Sequence, residues 1–168
     1  AQSFDDISED HWAEEAIDFV SSHELMTGVG KANFNANATM TRGMLAQVLY
    51  NLENAPENDE KALFTDVESG VWYEEAVDWA ASEGIIKGYG KDLFGPEDPI
   101  TRQQLAAMLY RYMGSPEPGD VELAFQDADE ISSYAEPAMR WAVQIGLFAG
   151  RRNNILAPGD TATRAEVA

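Results

Sequence analysis

Few residues in this chain are equipped for chemistry, and the most regularly placed of them are arginines. Arg outnumbers Lys seven to four, and three of the seven, Arg42, Arg102 and Arg164, each follow a threonine. A guanidinium presents a planar fork of donors that suits a carboxylate better than an ammonium does. At these positions it either pairs with the acids of the chain itself or is held for an external anion. The histidines offer less. His11 and His23 stand in no metal-ligand spacing with each other, and there is no Cys to join them. His23-Glu24 does not extend to H-E-x-x-H, because Thr27 occupies the required place. Gly28-Val29-Gly30 and Gly88-Tyr89-Gly90 lack the third glycine of a dinucleotide loop and end a predicted helix rather than open one. Asn33, Asn35 and Asn37 have the spacing of a calcium loop without its carboxylates or its closing Glu. No G-x-S-x-G or Walker sequence is present. The sequence therefore sets up no catalytic residue, no metal site and no cofactor; binding is the expected activity.

Composition narrows the ligand. The 168 residues are 45% apolar and 10% aromatic, enough for a packed core in spite of a net charge of −19. With 11 Lys+Arg against 30 Asp+Glu, neither nucleic acid nor anionic lipid is an expected partner. No apolar run approaches the roughly 20 residues of a membrane-spanning helix. Ala1-Gln2-Ser3 would suit the start of a processed, secreted chain.

The elements that must position these arginines repeat three times. Phe4-Asp5-Asp6, Phe64-Thr65-Asp66 and Phe125-Gln126-Asp127 open the copies. Trp12, Trp72 and Tyr134 follow, then sixteen residues later Gly28, Gly88 and Gly150. Six further on stand Phe34, Phe94 and Leu156, and eight beyond those the three arginines. Spacing from Trp to Arg is invariant, and insertions fall outside that block, as a repeat architecture requires. Trp12, Ala16 and Val20 recur every four residues, as do Trp72, Ala76 and Ala80, which predicts an amphipathic first helix in each copy. On that pattern the aromatic belongs to the core face. Gly28, Gly88 and Gly150 are expected to close these helices in the left-handed conformation. Thr41, Thr101 and Thr163 are expected to cap the second helices, with capping boxes through Gln104 and Glu166 but not Met44. Between Gly and Thr-Arg only a brief extended pairing is expected, near 32–35 or 92–95. Asn54 to Lys61 and Gly114 to Asp120 read as linkers, giving modules at 1–53, 61–113 and 121–168. The third copy reaches Ala168 five residues into its second helix, so that helix reads as truncated.

The order Phe-x-Asp, Trp-led helix, Gly-x-Gly, apolar loop anchor and Thr-Arg resembles the S-layer homology family, most clearly in ATRAEVA at 162–168, PITRQQLAAMLYRYM at 99–113 and FTDVESGVWYEEAVDWAASEGIIKGYG at 64–90. The resemblance covers essentially the whole chain. It implies an all-α domain in which three helix-loop-helix repeats close into a pseudo-threefold, three-pronged unit. The implied activity is non-enzymatic: non-covalent anchoring of a surface protein to secondary cell-wall polysaccharide linked to peptidoglycan, of the pyruvylated N-acetylmannosamine type. Location in the cell wall or S-layer and tethering to other extracellular domains are implied with it. Ligand sites in the family lie in grooves between modules. By matching position, the resemblance implies Arg42, Arg102 and Arg164 as anion ligands, Trp12 and Trp72 as walls for a sugar face, and Gly28, Gly30, Gly88 and Gly90 as points of close backbone approach. Asp6, Asp66 and Asp127 are implied as partners of sugar hydroxyls, with capping or holding the arginines as the competing role. The Thr of each pair would serve the fold, and Arg102, just inside its helix, would be free to face a groove. Copy three departs from the pattern at Tyr134, at Gly150-Arg151-Arg152 and at Arg140. The alternative function is a protein–protein module in S-layer or extracellular complex assembly.

Overall fold

The computed structural model describes residues 4–30 and 32–168, so Ala1-Gln2-Ser3 lies outside the described residues. Six α-helices follow in order: α1 Glu14–Ser22, α2 Arg42–Leu52, α3 Glu74–Ser82, α4 Arg102–Tyr112, α5 Glu136–Gln144 and α6 Arg164–Val167. Among the described residues, extended pairing is confined to isolated bridges. Each copy is thus helix, loop, helix, as its spacing predicts.

The first helices bury the expected stripe except at its leading aromatic: Val20, Ala76, Ala80, Ala138 and Ala142 are buried and Ala16 is half-buried. Ala13, Tyr73 and Ala135 are buried, with Ile17, Val77 and Met139 one turn on. Trp12, Trp72 and Tyr134 instead stand 71%, 60% and 52% exposed. The cause is local. The helices begin two residues after the aromatic, which therefore sits in the preceding turn and escapes the helical period.

Helix closure also differs from expectation. The left-handed closing residues are Glu24, Gly84 and Gly146, with φ of 58°, 70° and 78°. Leu25, Ile85 and Leu147 then donate their N–H groups to Val20, Ala80 and Ala142, the long back-bond of a Schellman ending. Gly28 and Gly88, four residues further on, have no left-handed φ and serve close packing instead. A Cβ on Gly28 would lie 2.8 Å from the Phe4 ring, and one on Gly88 2.5 Å from the Leu93 carbonyl. Gly150 is left-handed (φ 82°) and equally pressed against Phe125.

Neighbouring copies pack through α2 on α3 and α4 on α5. Tyr50 meets Trp79 at 5.6 Å between ring centroids, and Tyr110 meets Trp141 at 5.7 Å. Phe19, at the corresponding place on α1, is 55% exposed. At the centre the residues just ahead of each Thr-Arg pair close a ring of backbone bonds. Ile100 N–H donates to Met40 (2.8 Å), Ala162 N–H to Ile100 (3.0 Å) and Met40 N–H to Ala162 (2.9 Å). All three side chains are at most 1% exposed. Bridges Thr41–Pro99, Thr101–Thr161 and Thr39–Thr163 flank the ring. The extended pairing therefore joins copies through these segments, besides the short turn pairings Gly90–Leu93 and Arg151–Ile155. The result is a closed pseudo-threefold arrangement in which copy three returns to copy one.

Candidate functional site

The site is built outward from the three aspartates. Asp6 accepts from the backbone N–H groups of Phe34 and Asn35 at 2.8 and 2.6 Å. Asp66 does the same for Phe94 and Gly95, and Asp127 for Leu156 and Ala157. Each carboxylate thereby fixes the loop that carries the buried apolar anchor. For Asp6, burial raises the pKa, but the two loop N–H groups outweigh it and hold the carboxyl below its ordinary 3.8. The aspartates are committed to the loops, and they neither hold the arginines nor line either groove described below.

The carbonyl of the same anchor residue then receives an arginine from the preceding copy around the ring. Arg42 Nε donates to Phe94 (2.9 Å), Arg102 Nε to Leu156 (2.8 Å) and Arg164 Nε to Phe34 (2.9 Å). Arg42 adds a bond to the Lys87 carbonyl and Arg164 one to Thr27. The guanidiniums lie over aromatic rings, Arg42 on Tyr89 and Phe94, Arg102 on Phe148 and Arg164 on Phe34, at 4.5 to 4.6 Å. They are only 5%, 8% and 6% exposed. Burial pushes all three pKa values down from the ordinary 12.5, yet Arg stays charged at neutral pH. None of the ion pairs among the described residues involves them. Pairing with the chain's own acids is therefore not their role. Nor is Arg102 free: it staples copy two to copy three.

The helix starts are closed as well. Thr41, Thr101 and Thr163 accept from the third-residue N–H, and Gln104 and Glu166 complete capping boxes. The first two N–H groups of α2 go to Asp98 and Pro96, those of α4 to Asp160 and Pro158, and those of α6 to Ala38 and Ala36. An anion finds no vacant helix N–H here. Any anion site must be made by side chains.

Two grooves between copies supply such side chains. The larger, of about 800 Å³, brings Arg42 of copy one beside Lys87, Gly88, Tyr89 and Arg111 of copy two and Tyr134 of copy three. The smaller, of about 250 Å³, brings Arg164 beside Thr27, Gly28 and Val29 of copy one and Trp72 of copy two. The two are related by the pseudo-threefold: in each, an arginine staple meets a glycine-bearing loop and the exposed aromatic of the third copy. Of the residues singled out in sequence, Arg42 and Gly88 meet in the first groove, and Arg164, Gly28 and Trp72 in the second. Arg102, Trp12, Gly30, Gly90, Asp6, Asp66 and Asp127 line neither. Gly30 and Gly90 shape the loop tips, at φ 87° and 88° with open space around them.

Lys87, Tyr89, Arg111 and Tyr110 were not singled out in sequence. Arg111 stands nine residues after Arg102 on α4, and its Nη1 donates to the Ile85 carbonyl at 3.4 Å. Its signal in the sequence was a cation at the end of an otherwise apolar helix face. No acid is among the described residues that line the larger groove, although Asp98 stands behind Tyr89 within electrostatic reach of Arg42.

A sequence model of the S-layer homology domain matches this chain three times, at residues 3–43, 63–106 and 124–168, more than half of its length. An amylopullulanase of Thermoanaerobacterium thermosulfurigenes is 33% identical over 99% of this chain and 9% of its own length. Exoglucanase XynX of Acetivibrio thermocellus is 31% identical over 99% of this chain and 16% of its own. A cellulosome-anchoring protein of Acetivibrio thermocellus is 31% identical over 65% of this chain and 25% of its own length. The chain thus spans well under a third of each of these relatives.

Proposed function

The chain belongs to the S-layer homology domain family, an anchoring module of cell surfaces, and we propose that it attaches a surface protein to the bacterial cell wall by holding an anionic secondary cell-wall polysaccharide in the grooves between its repeats. The site of action is the extracellular wall or S-layer. The polymer is of the pyruvylated N-acetylmannosamine type, linked to peptidoglycan, and the cargo consists of further extracellular domains of the same protein. One observation carries the reading: on a chain with 30 Asp+Glu and 11 Lys+Arg, the larger groove is lined by Arg42, Lys87 and Arg111 and, among the described residues, by no carboxylate.

The physics of the groove suits such a ligand. The net charge of −19 repels a polyanion at a distance, but at physiological salt the repulsion is screened beyond about 8 Å. Inside the groove the local cations decide. A ketal carboxylate received by a guanidinium or ammonium makes charge-assisted hydrogen bonds, about twice as strong as neutral ones. Tyr89 and Tyr134 in the first groove and Trp72 in the second offer flat faces to the apolar side of a sugar ring. The Arg42 guanidinium is already oriented by Phe94 and Lys87, so little of its rotamer freedom remains to be lost on binding.

Co-sedimentation with wall polymer tests the proposal. The chain is expected to sediment with pyruvylated polymer and to stay in the supernatant with polymer stripped of pyruvate. Equal sedimentation with both would overturn the ligand.

A further inference from the structure

We propose that the two grooves differ in the charge they accept: the Arg42 groove takes a glycan segment carrying two acidic groups, and the Arg164 groove a segment carrying one. The inference rests on reading both grooves as glycan sites, and it goes beyond that reading by assigning each a charge specificity.

Equivalent positions of the two grooves differ in charge. Asn51 on α2 and Arg111 on α4 occupy the same place in their helices, nine residues after Arg42 and Arg102. Asn51 Nδ2 donates to the Leu25 carbonyl at 3.3 Å, and Arg111 Nη1 to the equivalent Ile85 carbonyl at 3.4 Å. A neutral amide therefore meets the structural requirement, and the charge of Arg111 is surplus to the fold. That charge has no carboxylate partner among the described residues. Keeping it costs stability, because burial pushes its pKa down from the ordinary 12.5. The same contrast recurs on the loop, where Lys87 in the first groove matches Thr27 in the second.

Both guanidiniums of the first groove reach the same loop: Arg42 Nη2 donates to the Lys87 carbonyl and Arg111 Nη1 to the Ile85 carbonyl, two residues earlier. They lie within electrostatic reach of each other and of Tyr134 from copy three, and Lys87 lines the same groove. A glycan segment that brings two carboxylates here meets three cations, so neither acid is left without one. In the second groove Arg164 is the one cation of the lining among the described residues.

The probes are two oligosaccharide fragments of equal length from the wall polymer, one carrying a single pyruvyl ketal and the other two. An NMR titration followed at the Gly88 and Gly28 amides reads the grooves separately. At Gly88 the two-acid fragment should bind about tenfold more tightly than the one-acid fragment, the worth of one charge-assisted contact. At Gly28 the two fragments should agree within about twofold. Arg111→Asn, which copies the neutral residue of the other groove, should abolish the preference at Gly88, and Arg111→Lys should keep most of it. The reciprocal Asn51→Arg should create the preference at Gly28, and it decides the matter if Arg111→Asn lowers the thermal midpoint. A preference at Gly88 that survives Arg111→Asn, or its absence in the unmodified chain, overturns the inference while the glycan reading stands. No shift at either amide with either fragment overturns both.

Discussion

Arg42, Arg102 and Arg164 each hold two copies together with one side chain. The Nε bond to a buried loop carbonyl and the seat over an aromatic ring make each arginine a structural staple first. Arg102→Ala strips the Leu156 carbonyl of its donor and leaves the Phe148 face bare. We expect a loss of about 2–3 kcal/mol, read in calorimetry as a fall of roughly 5–10 °C in the thermal midpoint. Arg102→Lys should recover only part, because an ammonium neither forks nor stacks in the same way. An unchanged midpoint for Arg102→Ala would return this arginine to the role of free ligand that its sequence position suggested. Asp6 gives a pH test. Its folded pKa is depressed, so its contribution is complete above the ordinary 3.8 and disappears as pH falls through the lower folded value. Thermal midpoints measured from pH 5 down to pH 3 should decline more steeply for the unmodified chain than for Asp6→Asn. Threonine capping was legible because a cap is a local device, written within four residues. The destination of the arginine was not, because Phe34 and Arg164 meet across 130 positions of sequence.

Among the elements, the loop between the two helices of each copy carries the proposed site, and its glycines divide the work. Gly88→Ala would press a Cβ against both the Leu93 carbonyl and the Phe64 ring. Gly90→Ala meets no atom within 4 Å and pays only for its φ of 88°, about 1–2 kcal/mol. Gly88→Ala should therefore cost more stability than Gly90→Ala, and equal midpoints would contradict the packing role. Trp72 lies outside the core, 60% exposed on the wall of the smaller groove. Trp72→Ala should leave the midpoint within a few degrees and weaken glycan binding at the Gly28 amide. The period-four pattern identified the first helices and most of their core face correctly but put the leading aromatics on it. Trp12 and Trp72 seemed to lie on that face because the turn before a helix shares its spacing with the first helical turn. What separates them is the helix start at Glu14 and Glu74, which hydrophobic spacing alone does not mark.

For the whole molecule, the repeat itself was fully legible, since three copies in one invariant frame admit little else. Closure was implied by the family resemblance alone. Its physical basis is the three-membered backbone ring of Met40, Ile100 and Ala162, and no side-chain pattern announces a backbone bond between distant copies. Because each groove uses an arginine of one copy, a loop of the next and an aromatic of the third, binding and closure are one property of the assembled ring. Separated copies should neither fold fully nor bind. The central claim, that the wall polymer is held by the cations of the Arg42 groove, is tested most directly at Lys87, whose ammonium is exposed and has no protein acceptor among the described residues. The measurement is the affinity of the intact chain and of Lys87→Gln for pyruvylated polymer, with the thermal midpoint of each recorded. Affinity should fall about fivefold to tenfold in Lys87→Gln, the worth of one partly exposed charge contact, at an unchanged midpoint. Equal affinity of the two proteins would contradict the claim.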